Sequence, residues 1–141
     1  MNSIKWNDQY ITGHTTIDFQ HKILAGIIND LIEAKRNEAA DELWVDVVVD
    51  ELMSYTQYHI ATETELMKSY HYPGITDHSS KYADFVLELK KLSGKHTAEK
   101  TKLTDDHLTF LKNWLVDHIA VEGKNLCRFL QEKEDYKLNG V

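Results

Sequence analysis

The sequence predicts an all-α chain folded as an antiparallel up-down-up-down four-helix bundle with an irregular N-terminal arm. Three observations carry that prediction. The 141 residues include one proline and six glycines, so long uninterrupted helices are permitted. Apolar residues recur at three- and four-residue intervals through four separate stretches. Short polar or Pro/Gly-bearing connections divide those stretches, which makes consecutive helices antiparallel neighbours.

Residues 1–16 read as the arm, with Trp6, Tyr10 and Ile11 as anchors onto the core. A first helix is expected over 18–36, with Ile17, His21, Leu24, Ile28 and Leu31 on its inner face. A second, over 41–70, holds Leu52, Tyr55, His59, Glu63 and Leu66 in register. Tyr72-Pro73-Gly74 then breaks the chain. A third helix over 76–93, with Thr76 as its N-cap, carries His78, Tyr82, Phe85, Leu89 and Leu92, and Gly94 ends it. A fourth over 104–122 is capped by Thr104 and shows Leu108, Leu111, Leu115, His118 and Glu122 on one side. Gly123 interrupts that helix, and a short last segment over 124–131 packs through Leu126, Phe129 and Leu130. Residues 1–141 read as a single domain.

Composition narrows the function. A net charge of −7 argues against a nucleic-acid partner, which calls for a basic face, and equally disfavours an anionic membrane surface. Cys127 is the one cysteine, so no intramolecular disulfide is available and a reducing compartment is expected. The N-terminal Met-Asn-Ser-Ile-Lys-Trp-Asn-Asp has no signal-like apolar run, and no stretch reaches the length of a membrane span. The expected location is cytoplasmic.

Histidines stand on the inner face of each predicted helix: His21, His59, His78 and His118. Two are followed by a glutamate one helical turn later, Glu63 and Glu122. In an up-down bundle helices one and three start at the same end, and helices two and four at the other. His21 and His78 lie near the starts of their helices, His59 and His118 toward the ends of theirs. All four therefore fall at one level. Buried imidazoles and carboxylates left without partners cost about 1–3 kcal/mol each, and a bound ion satisfies several at once. Neutral imidazole and carboxylate suit iron, zinc or manganese. The remaining histidines, His14, His71, His96 and His107, are expected to be structural or solvated.

The chain resembles the hemerythrin family, in particular its single-domain bacterial form. The likeness rests on Trp6 and Gly13 in the arm, then Ile17-Asp18-Phe19-Gln20-His21. It continues through Tyr58-His59-Ile60-x-x-Glu63-x-Glu65-x-Met67 and Tyr72-Pro73 followed by His78. It ends on Phe110-Leu111 and Trp114-Leu115-Val116-Asp117-His118-Ile119. The resemblance implies a non-haem di-iron centre that binds dioxygen for storage, delivery or sensing. Carried onto this chain, His21 and His59 bind one iron, Glu63 bridges, and His78 and His118 bind the other.

Two family ligands are missing. Tyr82 stands where a histidine is expected four residues after His78, and Gly123 stands where a bridging aspartate is expected five residues after His118. Both losses fall on the same iron. Several arrangements remain open: Tyr82 as a phenolate ligand, Glu122 in place of the aspartate with the backbone unwound near Gly123, one ion at His21, His59 and Glu63, or a scaffold without metal. Phe19, Tyr58, Trp114 and Leu115 neighbour candidate ligands and are expected to line an oxygen pocket. The leading expectation is an oxygen-binding iron protein with two ions, one ion being the lesser alternative, rather than an enzyme; a sensing output would need a protein partner. The alternatives are an oxidase, an enzyme reducing peroxide or nitric oxide, and a degenerate bundle.

Overall fold

The computed structural model describes residues 1–37 and 41–138, with side chains through Asp135. A 3-10 turn, Asp8–Tyr10, precedes α1 (Thr15–Arg36), α2 (Glu42–Ser69), α3 (Ile75–Leu92) and α4 (Asp105–His118). A π-helical turn, Ile119–Gly123, joins α4 to α5 (Lys124–Leu138). The architecture is the expected four-helix bundle. Gly123 does not end the fourth helix but lets it widen for one turn and run on.

Side chains set most of the helix starts. His14 Nδ1 accepts the Ile17 amide at 3.3 Å and caps α1, and Asp41 accepts the Leu43 amide at 3.0 Å and caps α2. At α4 Thr104 accepts the amide of His107, whose Nδ1 accepts the Thr104 amide in return at 3.0 Å. Two of the histidines outside the core are thus helix caps. His71 and His96 are exposed. Thr76 is not a cap: α3 begins one residue earlier, behind Gly74, with no side-chain bond at its start.

The arm is pinned at two points. The Ile4 amide donates to Asn29 Oδ1 at 2.7 Å, and Asn29 Nδ2 donates to Ile4 O at 2.9 Å. The Asp18 carboxylate accepts the amides of Thr12 and Gly13 at 2.8 and 3.1 Å, where Gly13 turns the chain at φ +97°. Trp6 and Tyr10 pack 5.1 Å apart, their rings tilted by 35°, against the core. Ile11 is 46% exposed and anchors nothing; the buried residue of the arm is Ile4.

Two apolar clusters fill the bundle. The larger runs from Leu24 and Ala25 through Leu31, Val48, Leu52, Phe85, Leu89, Leu111 and Leu115. The smaller gathers Ile17, Met67, Leu126, Cys127 and Leu130. Ile17, near the start of α1, meets Met67, near the end of α2, as antiparallel helices require. Between the clusters, along each strand of the pattern, lie His21, His59, Glu63, His78 and His118, every one buried. Leu31 is fully buried ten residues beyond His21, about 15 Å along α1. Leu31→Ala is expected to cost about 3 kcal/mol of stability, read by urea unfolding.

Candidate metal centre

The four rings converge. Centroids of His21 and His59 are 4.7 Å apart, His21 and His118 5.7 Å, His59 and His118 6.2 Å, and His78 and His118 5.2 Å. One ligand atom from each of His21, His59, Glu63 and His118 lies within 4.8 Å of the other three, and all four side chains are buried. His78 stands just outside that group, with Nε2 3.2 Å from Glu63 Oε1. Glu63 is the hub: the same oxygen is 3.0 Å from His59 Nε2 and 3.6 Å from His118 Nε2.

A chain of hydrogen bonds fixes how His59 presents itself. The Thr62 hydroxyl donates to Tyr58 O at 3.1 Å, so it can only accept from Gln20 Nε2 at 3.0 Å. That sets the Gln20 amide with Oε1 toward His59 Nδ1, at 2.7 Å, and the ring must donate there. Neutral His59 then turns the Nε2 lone pair toward Glu63 Oε1. Two acceptors 3.0 Å apart repel unless a positive charge lies between them, a proton or a metal ion. Other buried polar atoms point the same way. Both nitrogens of His21 and of His78, Nδ1 of His118 and Oε2 of Glu63 have no hydrogen-bond partner. This donor set fits a first-row divalent ion.

Burial acts on the charges. His21 is pushed well below the ordinary histidine value by desolvation first and then by the neighbouring imidazoles. Desolvation also lowers His118, although Glu63 pulls the other way. Burial by itself would raise Glu63, but the pull of His59 first, with His118 and His78 beside it, holds it well below the carboxylate range. His21 and His118 are therefore set up as neutral nitrogen donors beside an ionised carboxylate, the protonation states that bind metal.

Tyr82 replaces a ring nitrogen with a hydroxyl, and that hydroxyl is already engaged. It donates to Glu63 Oε1 in a short hydrogen bond and lies 2.9 Å from His118 Nε2. Burial raises its pKa well above the ordinary value, and Glu63 adds to the rise. The Tyr82 ring packs 5.1 Å from Trp114, which stacks on His118 at 4.8 Å and 10°.

The π turn decides what faces the centre from the fourth helix. It inserts one residue into the helical repeat, and the Lys124 amide reaches back to Ile119 O. Position 123 is thereby turned inward: a Cβ on Gly123 would lie 3.1 Å from His21 Cε1. Glu122 is half-buried and lines an outer cavity with Tyr72, Asp77 and His78, away from the converging ligand atoms. Of the side chains expected in an oxygen pocket, Phe19 and Tyr58 face outward, 63% and 60% exposed, because each sits on the solvent side of its helix. Trp114 and Leu115 do pack inside, Trp114 on His118 and Leu115 in the core.

The parts played by Gln20, Thr62 and Thr56 were not expected from the sequence, although Gln20 stands in the stretch that resembles the family. Gln20 follows Ile17 by three residues, so the inner stripe of α1 already included it. Thr62 is half-buried and gave no comparable signal. Thr56, three residues before His59, is buried with its hydroxyl unpartnered.

The chain is similar to known proteins over most of its length. Residues 12–130 match the family model described as the hemerythrin HHE cation binding domain. The chain is 29% identical over 114 residues to a myohemerythrin from Riftia pachyptila, covering 81% of this chain and 82% of that one. It is 29% identical over 119 residues to a bacteriohemerythrin from Stenotrophomonas maltophilia, covering 84% and 76%. A bacteriohemerythrin from Clostridium acetobutylicum is 25% identical over 123 residues, covering 84% and 95%. None of the described helices is long and apolar enough to cross a membrane. With a match across most of its length and a buried His/Glu cluster where the helices meet, this chain belongs to the hemerythrin family.

Proposed function

We propose that the chain is a non-haem iron protein that binds dioxygen for storage, delivery or sensing, and that its altered centre holds one ion rather than two. The observation that carries this reading is the Tyr82 hydroxyl, bonded to Glu63 and in contact with His118 on the side where two family ligands are lost. His21, His59, Glu63 and His118 are the residues that would hold the ion. A ferrous ion there would supply one electron and an open position for dioxygen. The protein supplies the rest. Gln20 keeps the His59 lone pair turned inward. Trp114 covers His118 on one face. The lack of a side chain at Gly123 leaves His21 room to sit against the π turn. Tyr82 donates its hydroxyl hydrogen bond to Glu63 and sets its oxygen against His118, on the side where two family ligands are lost, and this supports a mononuclear centre.

Protein loaded with ferrous iron without oxygen is expected to take up dioxygen reversibly, seen as a spectral change that vacuum reverses. His59→Ala and Glu63→Ala should lose most of the iron, while His96→Ala, an exposed position, should keep it. Equal iron in all three variants would contradict the assignment.

Wild type is expected to hold one iron per chain, and Tyr82→Phe to hold no less, because the hydroxyl competes for ligands instead of acting as one. Tyr82→His with Gly123→Asp should raise the ratio toward two, with His21 shifting to admit the new side chain. A drop in iron on Tyr82→Phe, together with loss of a visible phenolate band, would make Tyr82 a ligand.

The ion-free protein should lose stability on acidification. Native His21 and His118 decline protons that the unfolded chain accepts as pH falls through 6.5. Native Glu63 declines one as pH falls through 4.5. Each such proton lowers stability by up to about 1.4 kcal/mol per pH unit. The melting temperature should hold near pH 7 and fall below it; a rise between pH 7 and pH 5 would refute this.

A further inference from the structure

Resting on the reading that the centre holds iron, we infer that the ion reaches it through the cavity over His78, drawn there by Asp77 and Glu122. The cavity measures about 130 Å³, room for several waters, and is lined by Tyr72, Asp77, His78, Lys81 and Glu122 among others. His78 connects it to the interior. Its ring is 2% exposed and lines the cavity, both of its nitrogens lack a hydrogen-bond partner, and Nε2 is 3.2 Å from Glu63 Oε1. Three other surface cavities, at 510, 170 and 390 Å³, are lined by no residue of the cluster.

The position of His78 suits passage better than residence. It touches the hub carboxylate, yet its nitrogens fall outside the four-atom group. An ion held briefly by His78 can pass to Glu63 without crossing apolar packing. The mouth carries two carboxylates against one ammonium, Lys81, with Tyr72 and Asn125 neutral. Both carboxylates act at this place: after burial, Asp77 and Glu122 are among the charges that raise the Tyr72 hydroxyl. A net negative mouth concentrates cations and speeds their arrival, and salt weakens the effect.

The test uses the full ion-free chain mixed rapidly with ferrous ion in the absence of oxygen. Quenching of Trp114, stacked 4.8 Å from His118, reports arrival. Asp77→Asn with Glu122→Gln should load about tenfold more slowly at low salt and reach the same final iron content. Lys81→Gln should load faster than wild type. These differences should shrink in ~0.5 M salt, and wild-type loading itself should slow there. Equal rates in all three proteins, or wild-type loading indifferent to salt, would overturn the inlet while leaving the iron reading intact. Lower final iron in Glu122→Gln would make Glu122 a ligand and overturn it as well. Wild type that takes up no iron would overturn both.

Discussion

Glu63 is a carboxylate in the middle of a protein, fully buried, and the structure is arranged around the need to keep it charged. An isolated carboxylate in such surroundings would take up a proton. Here imidazoles from all four helices of the bundle stand round it, and Tyr82 donates to it. The same groups also lack partners on other sides, and those gaps are where a divalent ion fits. The Thr62–Gln20–His59 chain extends this to the outer layer. It settles which His59 nitrogen carries a proton before any ion arrives, so that binding need not reorganise the ring.

The apolar clusters above and below make this arrangement affordable in free energy and hold it in place. The larger one closes the bundle on one side, and Ile17, Met67 and Leu126 close it on the other. A polar layer between two close-packed layers has little freedom to relax. The π turn belongs to the same design. One extra residue in the helix sets Gly123, not Glu122, against His21, and leaves Glu122 at the surface beside His78.

Much of this was legible in the sequence, for definite physical reasons. The 3.6-residue period placed His21, His59, His78 and His118 on inner faces, and antiparallel topology put them at one depth. The family likeness then marked Tyr82 and Gly123 as departures. What the sequence could not resolve depended on register and hydrogen bonding across helices. Glu122 looked inward on an ideal helix and is turned out by the π turn. Phe19 and Tyr58 adjoin ligands in the chain, but adjacency in a helix rotates a side chain by about 100°, and both face solvent. Ile11 looked like an anchor by hydrophobicity, whereas Ile4 is the residue fixed by Asn29. Gln20 was visible in the family-like stretch, but its role appears only once Thr62 and His59 are beside it.

The most direct measurement is an anomalous difference map at the iron edge from crystals of the iron-loaded protein. The account predicts one peak per chain, about 2.0–2.2 Å from nitrogens of His21, His59 and His118 and from an oxygen of Glu63, with the Tyr82 oxygen outside bonding distance. A second peak between His78 and Tyr82, or a lone peak away from Glu63, would contradict it.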